Sequence, residues 1–322
     1  MSEPVIWFEV AGVPVYAYAL AVALFALVCV VLMHVLSVKR GMKKITALLY
    51  VLFAAPLALF LARLIYCAVR YDWIFLDEMG EFGGLWHFFE IGNGGMNIIG
   101  ALLGCLMAGK ICGSLTKQRA GAILDAAAPW GALLIALSRF AEPLLGQGYG
   151  DLLESPALSF YPMAFENEWG EWSLAVCNLE GILALALFFV LLYLAGKTRR
   201  PGTLCLYFLA LFCAPQIMPQ SLRSDDVLFV FIFARVTQIG YMVLLCGAAG
   251  AAWAVAARRT GITPRLMGEW LLMLLGVGVC IGAEFALDKT NLPDMLVYAA
   301  MAAALAFMAA LVCLRVKKED VL

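Results

Sequence analysis

Apolar runs long enough to cross a bilayer recur along this chain, and the loops between them alternate in charge. Lys39, Arg40, Lys43 and Lys44 follow the first run, and Asp72, Asp77, Glu78, Glu81 and Glu90 follow the second. Lys110, Lys117 and Arg119 come next, then Asp151, Glu154, Glu166, Glu168 and Glu171, then Lys197, Arg199 and Arg200. Arg315, Lys317 and Lys318 close the series. Cytoplasmic loops collect Lys and Arg, so this alternation predicts an outside N-terminus and a cytoplasmic C-terminus. A spanning helix needs roughly 20 apolar residues to cross a hydrocarbon core about 30 Å thick. Nine stretches meet that length, at 13–38, 45–68, 95–116, 121–145, 174–196, 202–222, 228–256, 266–286 and 294–314. An odd count agrees with termini on opposite sides. The fold class is therefore an all-α polytopic membrane protein, without a soluble domain. A β-barrel is excluded, because its strands would be about 10 residues long and would alternate apolar with polar.

Composition narrows the chemistry. The chain is 64% hydrophobic and 14% charged, with a net charge of −1 that hides basic loops on one face and acidic loops on the other; nucleic-acid binding has no support in it. The first apolar run is too long for a signal-peptide h-region and follows Glu3 and Glu9 rather than a basic segment, so it reads as a spanning helix. All ten cysteines fall in apolar segments with no CxxC pair, where Cys behaves as a small hydrophobe. The two histidines, His34 and His87, are predicted on opposite faces, which argues against a histidine metal site. No cofactor is implied.

Two predicted outer loops are long and aromatic. Residues 71–94 hold Trp73, Phe75, Phe82, Trp86, Phe88 and Phe89, and residues 146–172 hold Tyr149, Phe160, Tyr161, Phe165, Trp169 and Trp172. Such segments either lie along the headgroup layer as amphipathic arms or serve as ordinary interfacial anchors. The last two helices follow the basic link Arg258–Arg265 and read as an appendage. We therefore divide the chain into a seven-helix core, residues 1–257, and an extension, residues 258–322.

Ionisable side chains within a bilayer each cost roughly 2.5–3.5 kcal/mol on insertion scales and need a partner or a role. Here they are Arg63, Asp125, Arg139, Glu142, Glu180, Arg235, Glu269 and Glu284. Glu142 follows Arg139 at i+3 on one helix face, and Pro143 and the Gly146–Gly150 segment come next. Arg139 is thus either a guanidinium fork for a phosphate or carboxylate, or half of a pair that satisfies itself. A second group is Asn93, Gly94 and Gly95, at the predicted start of the third helix, where exposed backbone N–H groups would meet an anion. Gly100 and Gly104 form a GxxxG suited to close helix packing. A third group is Gln216, Gln220 and Arg223, on a run containing Pro215 and Pro219. Two prolines there predict a kinked or interrupted helix, whose polar side chains would face a cavity.

These residues resemble, in order and spacing, the prolipoprotein diacylglyceryl transferases of bacterial inner membranes, over about Val13 to Val255. The pieces are Tyr18 in Val15–Ala19, Ala62-Arg63-Leu64-Ile65-Tyr66, Gly94-Gly95-Met96-Asn97-Ile98-Ile99-Gly100, Asp125 with Pro129, Ser138-Arg139-Phe140 through Gly146-Gln147-Gly148-Tyr149-Gly150, Glu180-Gly181, and Arg223 before an acidic turn. The resemblance implies a multi-pass protein that moves the diacylglyceryl group of phosphatidylglycerol, or of another anionic phospholipid, onto the lipobox cysteine of a secreted preprotein. By the same resemblance Arg139 would hold the lipid phosphate, and Tyr18, Arg63 and Gln147 would line the lipid cavity. The alternative is a catalytically silent relative that binds a phospholipid or lipopeptide as scaffold or chaperone. The sequence departs from the family pattern at Ile99, where a His is expected, at Glu142 and Leu145, where Asn is expected, and at Gln216, which aligns with a second Arg. A general base is typically worth 10²–10⁴-fold, and Glu142 is the candidate replacement.

Overall fold

A computed structural model describes residues 4–10, 13–39, 41–76, 80–90, 95–153, 157–166, 170–224, 230–231 and 234–321. Among them are nine helices long and apolar enough to cross a membrane. They are α1 (Ala17–Lys39), α2 (Ile45–Val69), α4 (Ile98–Thr116), α5 (Ala120–Ala141), α6 (Val176–Ala195), α7 (Thr203–Ser221), α8 (Val236–Thr260), α9 (Pro264–Lys289) and α10 (Asp294–Val321), with the short α3 (Tyr71–Phe75) after α2. Small antiparallel hairpins sit at one end of the bundle: β1 (Ile6–Val10) with β2 (Val13–Tyr16), β3 (Ala164–Glu166) with β4 (Trp172–Leu174), and β5 (Val230–Phe231) with β6 (Ala234–Arg235).

The helix boundaries differ from the sequence reading where β-prone or capping residues compete with helix. The first run begins as strand β2 rather than helix, and the seventh gives up its first residues to β5 and β6. The third helix starts at Ile98, not at 95. Asn97 caps it, accepting a hydrogen bond from Ile99 N at 2.7 Å, and so satisfies one of the donors that a helix start leaves free. The expected interruption at Pro215 and Pro219 is absent. Helix α7 continues through both prolines, packed on α5, α6, α8 and α10, which offset the lost backbone bonds.

Helix α7 is the most enclosed of the spans and α1 the least. One apolar core joins α5, α6, α7 and α8 to residues of α9 and α10, such as Met273, Cys280, Met301 and Met308. Helices α2 and α4 meet backbone to backbone. A Cβ on Gly100 would lie 2.2 Å from Leu61 O, and one on Gly104 would lie 2.5 Å from Ala58 N. The GxxxG thus serves close packing, as small-residue interfaces do in lipid.

The end opposite the hairpins holds Lys39, Lys117 and Arg199. There, two carboxylates from neighbouring helices cap α7. Asp125 of α5 accepts from Gly202 N at 2.7 Å and Cys205 N at 2.8 Å. Asp320 of α10 accepts from Arg199 N at 3.0 Å, Arg200 N at 2.8 Å and Thr203 Oγ1 at 3.1 Å.

Candidate functional site

Four charged side chains close a ring at the hairpin end of the bundle, within a turn or two of the helix ends. Arg139 comes from the last turn of α5, and Glu142 from the 3-10 turn after it. Glu180 comes from the second turn of α6, and Arg223 from just beyond α7. Arg139 Nη1 donates to Glu142 Oε1 at 3.1 Å and to Oε2 at 3.0 Å, while its Nε reaches Glu180 Oε2 at 3.1 Å. Arg223 Nη2 donates to Glu142 Oε1 at 2.7 Å and Nη1 to Glu180 Oε2 at 3.1 Å. Each guanidinium meets both carboxylates, and each carboxylate both guanidiniums.

The glutamines of α7 complete the ring. Gln220 Nε2 donates to Glu180 Oε1, and Gln216 Nε2 to the Glu180 carbonyl at 3.1 Å. The other amide atom of Gln216, Oε1, is buried with no hydrogen-bond partner. An unmet buried acceptor costs about 1–3 kcal/mol unless something donates to it. Tyr18, half-buried in the first turn of α1, stands within electrostatic reach of Glu142, Arg139 and Arg223.

Backbone glycines bring the surrounding loop against this ring. Gly146 and Gly148 have φ of 67° and 90°, a region open to Gly at little cost. A Cβ on Gly148 would stand 2.5 Å from Cys177 Cβ. The loop is tied on both sides: Cys177 N donates to Gly148 O at 2.9 Å, Gly150 N to Leu174 O at 2.8 Å, and Ser224 N to Tyr149 O at 3.0 Å. Gln147 lies half-buried in this loop.

Arg63 belongs to a different cluster. It is 3% exposed, and its guanidinium donates to the carbonyls of Phe88 at 2.9 Å, His87 at 3.0 Å, Glu90 at 3.1 Å and Gly95 at 3.2 Å. It gathers the first aromatic segment onto α2. Gly95, at φ 87°, is packed so closely that a Cβ would fall 2.4 Å from Tyr66 Cε1 and 2.6 Å from Arg63 Nη1. Asn93 and Gly94 lie outside the described residues, as do Asp225 and Asp226. Ile99, at the position where a His was expected, is buried and would clash with any Cβ on Gly240 of α8.

The structure thus unites Arg139, Glu142, Gln216, Gln220 and Arg223, with Tyr18 beside them, and adds one member that the sequence reading named among the intramembrane charges without assigning it to the site. That member is Glu180, fully buried and in contact with both arginines and Gln220. Charge balance among the intramembrane residues was the available signal: two arginines near one membrane face call for two carboxylates, and Glu142 supplies only one.

Fold and site together define a helical membrane protein with a buried, polar, charge-balanced site near one membrane face. A model of the prolipoprotein diacylglyceryl transferase family matches residues 5–255, so the chain belongs to that family. It is 25% identical over 247 residues to the phosphatidylglycerol–prolipoprotein diacylglyceryl transferase of Bacillus licheniformis, covering 75% of this chain and 89% of the relative. The enzyme of that name from Halalkalibacterium halodurans is 26% identical over 270 residues, covering 77% and 86%. That from Clostridium novyi is 22% identical over 247 residues, covering 74% and 91%. With its apolar helices and bacterial relatives, the chain is a multi-pass protein of the bacterial inner membrane.

Proposed function

We propose that this protein transfers the diacylglyceryl group of phosphatidylglycerol to the cysteine thiol of a secreted preprotein, with the hairpin end facing outward. One observation supports the reading: Arg139 and Arg223, both part of the sequence resemblance, grip the same two carboxylates at the hairpin end of the bundle. In the reaction the thiol sulfur bonds to the glycerol carbon of the diacylglyceryl group. The C–O bond to phosphorus breaks, and glycerol phosphate leaves with the electron pair. Guanidinium groups in a water-poor site stabilise that leaving phosphate. Glu142 takes the thiol proton once the arriving phosphate has displaced it from an arginine. The unmet Gln216 Oε1 suits a hydroxyl of the glycerol headgroup.

A second reading, a silent lipid-binding relative, is favoured by one specific feature. Glu142 is pinned between two cations, and Ile99 fills the place of the expected His, so no unengaged base is present in the ring. The two are separated by a mass-shift assay. Purified protein in phosphatidylglycerol liposomes is given a lipobox peptide, beside the Arg139→Ala variant. A diacylglyceryl mass gain that the variant lacks establishes the transferase. No gain, with phosphatidylglycerol still co-purifying in an Arg139-dependent manner, establishes the silent relative.

A further inference from the structure

The family match ends at residue 255, yet an acidic side chain from beyond it reaches toward the ring. Glu284 lies in the penultimate turn of α9, half-buried. Its Oε1 accepts from Ser221 Oγ of α7 at 2.6 Å and from Gln238 Nε2 of α8 at 2.7 Å. Gln238 also donates to Ser221 Oγ at 2.7 Å and to Ile217 O at 3.3 Å. Glu284 therefore fastens the last turn of α7 to the first turn of α8.

Arg223 begins two residues after Ser221, and its backbone is held by the same network. Gln238 Oε1 accepts from Arg235 N at 2.7 Å, and the Arg235 guanidinium donates to the Arg223 carbonyl. On its other side Arg223 pairs with Gly150 in an isolated antiparallel bridge. The Arg223 side chain then carries two of the ring's ion pairs. Helix ends fray unless their groups find partners; here Gln238 of α8 donates to the Ile217 carbonyl, and Glu284 of α9 accepts from both Gln238 and the Ser221 hydroxyl.

We propose that Glu284 is a positioning residue, which sets Arg223 in the ring through Ser221, Gln238 and Arg235 and so makes α9 part of the lipid site. For its effect on lipid the inference rests on the headgroup reading given above. For its effect on Arg223 it does not. What Glu284 contributes is an acceptor oxygen at a fixed place, which Gln can also present and Ala cannot.

The test compares Glu284→Ala with Glu284→Gln in the full-length protein, in nanodiscs containing phosphatidylglycerol. Backbone hydrogen exchange is read over residues 217–224, with α1 and α2 as internal controls, and bound phosphatidylglycerol is read by native mass spectrometry. Loss of two part-buried hydrogen bonds to a carboxylate should weaken lipid binding in Glu284→Ala by about tenfold. Exchange over 217–224 should speed up in that variant while the controls hold still. Glu284→Gln should stay within about twofold of the parent on both readouts. Unchanged exchange over 217–224 in Glu284→Ala overturns the proposal, as does equal loss in the Ala and Gln variants. If the parent retains no phosphatidylglycerol and exchange still responds to Ala but not Gln, the positioning role stands and the headgroup reading falls.

Discussion

A buried ion pair is weak evidence for stability, because removing each ion from water costs several kcal/mol before attraction returns any of it. The ring formed by Arg139, Glu142, Glu180 and Arg223 meets this cost by leaving no charge without an opposite neighbour. Its arithmetic is two positive and two negative, so any single deletion strands a charge. Arg139→Ala should therefore lower stability by about 3–5 kcal/mol, beyond removing a phosphate contact. Arg139→Ala combined with Glu142→Ala restores neutrality, and a thermal-unfolding cycle should show a coupling of about 0.5–3 kcal/mol between the two positions. Additive losses would mean that the two side chains do not act as a pair. Phosphatidylglycerol binding should be lost in the single and the double variant alike, which separates the binding role from the structural one. The Arg139–Glu142 half of the ring was legible at i+3 spacing. The Glu180 and Arg223 half was not, because those positions lie about 40 or more residues away and only packing brings them together.

At the scale of elements, the sequence marked where helices pack and missed where they are fastened. Gly100 and Gly104 announce a close helix contact by residue type alone, and α2 and α4 meet there with no room for a Cβ. Gly100→Leu should lower stability by about 1–3 kcal/mol, the usual range for overpacking, as read by thermal unfolding in detergent; an unchanged midpoint would mean that the two helices separate at no cost. The capping of α7 could not be read in advance, since its carboxylates come from α5 and α10. Asp125→Ala and Asp320→Ala should each cost about 0.5–2 kcal/mol, as for loss of a helix cap. Hydrogen exchange should rise first at residues 199–206. A rise confined to other segments would show that neither carboxylate holds that helix start. Of the two outcomes that the prolines of α7 announced, a kink or an interruption, the interruption does not occur. Proline's local tendency to break a helix is real, but the enclosure of α7 by four neighbours was invisible in a one-dimensional pattern.

For the whole molecule, the division into a seven-helix core and a two-helix extension now has to accommodate contacts between them. The family match covers residues 5–255 and stops before α9. Physically the two parts share a core, with Met273 and Met308 buried alongside α7 residues such as Phe212. Asp320 and Glu284 of the extension hold opposite ends of that same helix. From the alternating loop charge we propose that the C-terminus lies in the cytoplasm, so green fluorescent protein fused after Leu322 should fluoresce, whereas alkaline phosphatase fused there should be inactive. The reverse result would invert the topology and carry the ring to the inner face. A chain truncated after Arg258 should still insert, because α1, α2 and α4–α8 are each apolar and long enough to span unaided. It should resist alkaline carbonate extraction yet melt at lower temperature than the full chain, with faster exchange at both ends of α7. Extraction into the soluble fraction would show that the first seven helices do not form a unit. An unchanged melting point would show that α9 and α10 lie against the core without supporting it, and that Asp320 and Glu284 fasten nothing that the core does not already hold.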